Sequence, residues 1–252
     1  MQAYGSGFAR VYNSRWGGFA RGCAPLIEAF YAAMPLGQQE HSLLDVCCGT
    51  GHMALYFLDR GYRVTGVDLS LAMLGHAAQN TATYVESGQA RFIQADACSF
   101  DQEDRFGLAV STFDALNHLP NLDALAACFR RVHAAVQDGG LFVFDLNTRT
   151  GLHTWNSVQV EDTPALLLVN RSVYDSEAGK AYARLSGFVA VGEGVYERFE
   201  ETVYNTAFDL ETVRTLLPDT GWRAAHIARI EDLGQPLADP ERETRVWFVA
   251  SR

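Results

Sequence analysis

Leu43-Leu44-Asp45-Val46-Cys47-Cys48-Gly49-Thr50-Gly51 decides how this chain folds. Leu43–Cys47 is a short apolar run with glycines close behind it, the pattern of a strand entering a tight turn. Beyond the turn, Thr50–Arg60 carries Met53, Ala54, Phe57 and Leu58 on one helical face, with Gly61 as its stop. Tyr62–Val67 supplies a second strand, and Ser70 can cap a helix running to about Asn80. Arg91–Gln94 and Leu108–Thr112 are further strands, Asn121–Val136 is a helix ended by Asp138-Gly139-Gly140, and Leu141–Leu146 is a fifth strand. Strand and helix in alternation predict right-handed βαβ units: a parallel sheet with helices on both faces.

Farther on the rhythm changes. Leu166–Asn170, Ala181–Val191 and Tyr196–Tyr204 alternate in pattern and are separated by Asp175–Gly179 and Gly192–Gly194, as antiparallel hairpins are. A helix at about Leu210–Leu217 and strands at Arg223–Ile230 and Thr244–Ala250 close the chain. The expected fold is α/β: a seven-stranded, mostly parallel sheet whose last strand is antiparallel. A small antiparallel β insertion, at about 160–205, follows the fifth strand. Residues 1–252 read as one domain, and its first 38 residues as a helical N-terminal segment. There Phe8, Val11, Tyr12, Trp16 and Phe19 fall on one face, broken by Gly17-Gly18. The stripe can pack on the core, and some of its rings can close over a ligand.

A chain of 252 residues with 48% apolar residues can bury a core without staples, and its 20% charged content is that of a globular protein rather than a disordered one. Thirty acids against 20 bases give a net charge of −10, and Lys180 is the only lysine. Nucleic-acid binding draws on a basic face, so this balance points away from nucleic acid and toward a small molecule. The five cysteines (Cys23, Cys47, Cys48, Cys98, Cys128) form no metal-ligand spacing. Their odd number, with no signal core and no membrane-length apolar run, predicts a soluble cytoplasmic protein with reduced thiols.

The chemistry gathers at strand ends. Asp45 precedes the glycine turn, Asp68 ends the second strand in Gly66-Val67-Asp68-Leu69-Ser70, and Asp96 ends the third in Ala95-Asp96-Ala97. Open α/β sheets bind ligands at those ends. Gly49 and Gly51 let a ligand lie against bare backbone. Asp68 can accept hydrogen bonds from two ribose hydroxyls, and Asp96 from an adenine amino group. The loop alone also suits NAD, with Ala54 in the third small position, so an NAD-dependent oxidoreductase is the rival reading. Asp45, Asp96 and the antiparallel end of the sheet favour S-adenosylmethionine, which offers a carboxylate, an ammonium and a sulfonium. Amides at the helix start near Thr50 can help hold the carboxylate, Asp45 can balance cationic charge, and aromatic rings can face the sulfonium.

Here the sequence resembles the class I, Rossmann-like methyltransferases. Leu43–Gly51 matches their first motif, and Gly66–Ser70 and Ala95–Ala97 match the next two. It is most similar to small-molecule enzymes of the macrolide sugar N,N-dimethyltransferase type, through Tyr4, Phe8-Ala9 and Tyr12, and through Phe113-Asp114-Ala115-Leu116-Asn117-His118-Leu119 after the fourth strand. The resemblance implies an N-terminal aromatic lid over roughly residues 1–38, Tyr4 near the transferred methyl, and His118 as a base. The expected cofactor set is Tyr12, Trp16, Asp45, Cys47, Gly49, Thr50, Gly51, Asp68, Leu69, Met73, Asp96, Ala97, Ser111, Thr112 and Phe113. His52 could also touch the cofactor, and His133 is expected at the surface. Ser111-Thr112-Phe113-Asp114 stands where amino-methylating nucleic-acid enzymes carry an Asp/Asn-Pro-Pro-aromatic sequence. The expected reaction is methyl transfer from S-adenosylmethionine to N or O of a small molecule, without metal or membrane. The remaining alternatives are a non-catalytic S-adenosylmethionine binder and a methyltransferase with a protein target. An exposed insertion edge could pair two copies into a homodimer.

Overall fold

The apolar runs around the glycine turn form the middle of a seven-stranded sheet, in a computed structural model that describes residues 4–252. The parallel strands are β1 (Ser42–Val46), β2 (Arg63–Asp68), β3 (Ala90–Gln94), β4 (Phe106–Ser111) and β5 (Val136–Asn147). β10 (Ala224–Ala228) and β11 (Arg245–Ser251) complete the order β10-β11-β5-β4-β1-β2-β3, and β11 runs antiparallel to both neighbours. Every residue of β1 and β4 is buried, as expected of central parallel strands covered on both faces. Strand order reverses beside β1, between β2 and β4, and opens a crevice at the strands' C-terminal ends.

Helices cover both faces. α2 (Gly17–Ala32) and α3 (His52–Leu58) bury Ile27, Phe57 and Leu58 against Leu43, Val64 and Val143. α6 (Leu122–Ala135) and α8 (Leu210–Asp219) bury Phe129, Val132 and Leu217 against Phe142, Phe144 and Phe248. α4 (Leu71–Asn80) is capped as expected, Met73 N–H donating to Ser70 Oγ at 3.2 Å. His133 is half-buried rather than at the surface. Its ring packs edge-on to Trp222, 5.3 Å between centroids, because Gly221 leaves room for it.

The second sheet is β6 (Ser157–Thr163), β7 (Leu166–Asp175), β8 (Lys180–Gly192) and β9 (Val195–Thr206), antiparallel throughout. It lies between β5 and α8 in the chain. β6 lies outside the strands expected from the sequence, as do the short helices α5 (Ala82–Glu86) and α7 (Arg149–His153). The N-terminal stripe falls on two helices, α1 (Ser6–Arg15) and α2, which meet at Trp16. A third core joins α1 to this sheet: Phe8 and Val11 pack with Met73, Leu168, Leu185 and Phe199. The α1 helix therefore bridges the crevice from the parallel sheet to the antiparallel one.

One strained turn shapes the crevice wall. Phe113 and Asp114 follow β4 with φ of 67° and 50°, a region that costs a non-glycine residue about 1–2 kcal/mol. Asp145, buried at the end of β5, accepts from both their amides, at 2.6 and 2.9 Å. Arg245 of β11 ion-pairs with Asp145 and donates to Asp114 Oδ1 at 2.7 Å. Removing the carboxylate leaves the half-buried Arg245 guanidinium with Asp114 as its remaining acidic partner and the Phe113 and Asp114 amides without their acceptor. Asp145→Ala should cost about 3–5 kcal/mol of stability in urea unfolding; a loss under about 1 kcal/mol would show that the clamp does not hold this turn.

Candidate functional site

A cavity of about 720 Å³ occupies the crevice, roofed by α1 and the antiparallel sheet. Of the residues expected from the sequence, Tyr4, Tyr12, Trp16, Cys47, Gly49, Asp68, Leu69, Met73, Asp96, Ala97, Thr112, Phe113 and His118 line it. Asp45 and Thr50 lie behind the turn, on a recess of about 30 Å³ that Tyr12, Trp16, Cys47, Thr112 and Phe113 also line. Gly51 and Ser111 line neither space. Gly51, with φ 77°, turns the chain into α3 and packs on Ala77, while Ser111 is buried at the end of β4.

Asp68 ties the crevice together. Gly49 N–H donates to its Oδ2 at 2.8 Å and Ser70 N–H to its Oδ1 at 2.9 Å. A carboxylate has about four acceptor sites, so capacity remains on the cavity side. Burial raises its pKa, and the two amides oppose that shift. Asp96 accepts from Cys98 N–H at 2.8 Å and lines the cavity one strand over. Gly49 turns the chain with φ of 54°, a conformation that favours glycine, and the Tyr12 ring lies against this turn.

Tyr4, Phe8, Tyr12 and Trp16 form one aromatic wall, with centroids 4.8 Å apart for Tyr4 and Phe8 and 5.5 Å for Tyr12 and Trp16. Ser70 Oγ donates to the Tyr4 carbonyl at 2.7 Å, and Asn80 Nδ2 to Asn13 Oδ1 at 2.7 Å. His52 holds the same helix, its Nε2 3.0 Å from the Asn13 carbonyl, and faces the small recess rather than the cavity. Tyr4 Oη lies 3.3 Å from His118 Nε2. Burial pushes the Tyr4 and Tyr12 phenols far above their ordinary range, so both stay protonated.

The recess tests whether a charged amino-acid group fits. Asp45 is fully enclosed, its Oδ2 has no hydrogen-bond partner, and Thr50 Oγ1 has none either. Burial, and to a lesser degree the charge of Asp68, push the Asp45 carboxyl up to about 8. Buried polar atoms in native proteins are nearly always paired, so two orphans beside a glycine turn suit a ligand that brings N–H donors and positive charge. S-adenosylmethionine has such an ammonium.

The cavity also holds residues absent from the expected set, among them Asp114, Asn147, Trp155, Thr202, Tyr204 and Arg245. Asp114 stood inside the Phe113–Leu119 motif. The others come from β5, β9, β11 and the loop after α7, which reach the crevice only through the tertiary fold.

Residues 43–140 match the model of the methyltransferase domain family. The chain is 27% identical over 213 residues to the putative methyltransferase YqeM of Bacillus subtilis, covering 83% of each. Its fold is similar to that of an S-adenosylmethionine-dependent methyltransferase from Clostridium acetobutylicum, with a TM-score of 0.76, 19% identity and 97% of each chain covered. It is also similar to the sugar N-methyltransferase KedS8 from a Streptoalloteichus species, with a TM-score of 0.78, 21% identity, and 100% and 95% of the two chains covered. Residues 43–140 thus match a methyltransferase domain, and the chain has the fold of the solved S-adenosylmethionine-dependent methyltransferase.

Because folding raises the Asp45 pKa, the folded state favours its protonated form. That contribution is fully present below the ordinary carboxyl pKa and is lost as pH rises toward about 8. Ligand-free protein should therefore lose stability from about pH 4 to about pH 8 by this route, and Asp45→Asn should reduce that slope. Chemical denaturation across this range checks it; equal slopes for both proteins would contradict the assignment.

Proposed function

We propose that this protein transfers a methyl group from S-adenosylmethionine to nitrogen or oxygen of a small-molecule acceptor. The observation that carries the reading is the roofed cavity that Asp68, Asp96, the aromatic wall and His118 line together. Bound S-adenosylmethionine supplies a methyl carbon on a positively charged sulfur that leaves readily. Asp68 and Asp96 would hold the ribose and adenine ends. Asp45 and Thr50 suit the amino-acid end through their unpaired oxygens, and Tyr4, Tyr12 and Trp16 offer ring faces to a cation.

The chain's share of the chemistry is alignment, and removal of a proton where the acceptor needs it. The acceptor's lone pair forms the new bond to carbon as the carbon–sulfur bond breaks, and the proton the acceptor loses goes to His118. The Tyr4 hydroxyl, 3.3 Å from the ring, orients the imidazole. We assign the N-terminal segment as a lid and the antiparallel sheet as the cap on the acceptor's end, both parts of one methyltransferase domain over residues 1–252. Their concave inner side favours a small molecule over a protein target. Among the described residues no helix is long and apolar enough to cross a membrane, in keeping with a cytoplasmic enzyme.

Thermal unfolding with S-adenosylhomocysteine, and with NADH as control, tests the donor. A ligand at one hundred times its dissociation constant stabilises by about 2.7 kcal/mol, a rise of a few degrees at this size. The thioether should give that rise and NADH none; the reverse would make the glycine turn a dinucleotide site. Asp68→Ala should weaken S-adenosylhomocysteine at least about tenfold, or about 1.4 kcal/mol, by calorimetry. His118→Ala should lower kcat about 10²-fold at neutral pH, less so as pH rises, if the acceptor must lose its proton during transfer. A variant with unchanged kcat and pH profile would remove His118 from that role.

A further inference from the structure

Three buried asparagines tie the segment that carries His118 to the antiparallel sheet. Ala115–His118 is a 3₁₀ turn that starts from the strained Asp114. Asn117 is fully enclosed within it, and its side chain bonds only to chain segments outside the turn. Its Oδ1 accepts from Asn147 N–H at 2.9 Å, and its Nδ2 donates to the Asn147 carbonyl at 3.2 Å and the Thr206 carbonyl at 2.9 Å. Asn147 Nδ2 donates in turn to Asn205 Oδ1 at 2.9 Å, and Asn205 Nδ2 to the Tyr204 carbonyl at 3.2 Å. Thr206 Oγ1 donates to the Leu119 carbonyl at 2.7 Å. Thr206, at the end of β9, therefore grips both neighbours of His118, one by its carbonyl and one by its hydroxyl.

Apolar side chains could fill these places without needing partners. A buried amide must find donors and acceptors in fixed directions, so a completed network specifies one arrangement of the chains it joins. This network is complete in that sense, for Asn117, Asn147 and Asn205 are all buried and none has an enclosed side-chain atom without a partner. None of its bonds goes to Asp45, Asp68 or Asp96. The imidazole has a tether of its own, the 3.3 Å contact between Nε2 and Tyr4 Oη. His118 is thus held from two directions, its backbone by the antiparallel sheet and its ring by the N-terminal segment.

Resting on the reading that His118 takes the acceptor's proton, we infer that Asn117, Asn205 and Thr206 are positioning residues for its imidazole. The antiparallel sheet then has a second duty besides roofing the cavity: through the end of β9 it aims the base. Proton transfer requires the base within hydrogen-bond reach of the proton it removes, so a small displacement of this strand end would be felt at the ring.

Proton NMR of the histidine rings tests this at fixed pH, on the full chain saturated with S-adenosylhomocysteine. The ring signal missing from His118→Ala identifies His118 among the seven histidines. Thr206→Val removes one hydroxyl while keeping the shape of the side chain, and should move the His118 signal more than any other. Thr220→Val removes a similarly buried hydroxyl, 2.8 Å from the Leu217 carbonyl, and should leave the His118 signal in place. Asn205→Ala should move it as well, and Asn205→Asp, which keeps an oxygen for Asn147, should bring it back toward the wild-type position. The thermal shift with S-adenosylhomocysteine, retained in each variant, reports that the chain is folded with its donor end intact. A His118 signal unmoved in folded Thr206→Val and Asn205→Ala overturns the inference, as does an equal movement in Thr220→Val. Absence of the thermal shift from the wild type would strike the methyltransferase reading instead.

Discussion

One carboxylate holds the two halves of the site in register. Asp68 receives Gly49 N–H on one oxygen and Ser70 N–H on the other, so the turn after β1 and the turn after β2 hang from the same group. Ser70 passes the constraint on: its hydroxyl caps α4 through Met73 and holds the Tyr4 carbonyl. The aromatic wall is thereby tied to the glycine turn through two side chains. Bonds from amides to a carboxyl group are among the stronger ones in a protein, and both of these are partly buried. Because Asp68 would also meet the ribose, the group that shapes the site is the group that would feel its ligand.

Around this knot the protein uses burial to set charge. Asp45 is kept where its ionised form is costly, which suits it to a cationic ligand group. Asp145 has its pKa pushed up by burial, a shift that its ion pair with Arg245 opposes, and it spends its oxygens on the strained Phe113–Asp114 turn. Asp68, half-buried, ties the turns together; Asp45 and Asp145, both buried, differ in that one has an unpaired oxygen and the other holds the strained turn. Their roles differ because their neighbours differ, although all three end parallel strands of one sheet.

Much of this was legible beforehand, and the limits have physical causes. The glycine turn, Asp68 and Asp96 follow from local periodicity, since an acid at the end of an apolar run in a βα unit has only one edge of the sheet to occupy. Ser70 could be read as a cap for the same local reason. Arg245 and Asp114 meet across 131 residues, through a strand order that no local pattern displays. β6 escaped because its valines face solvent and its polar residues face a cavity, the opposite of the rule by which strands are recognised. The inward places of Asn170 and Thr202 depend on hairpin register, which shifts every side chain to the other face when it moves by one residue. His133 was misplaced because its partner, Trp222, lies on a distant segment.

The central claim is that Asp45, Asp68 and Asp96 form one donor site across the ends of three adjacent strands. A crystal structure of the complex with S-adenosylhomocysteine tests it most directly. The account predicts the ribose hydroxyls at Asp68, the adenine beside Asp96, and the amino-acid end toward Asp45 and Thr50, under the ring of Tyr12. A ligand whose ribose makes no contact with Asp68, or whose amino-acid end points away from Asp45, would contradict it.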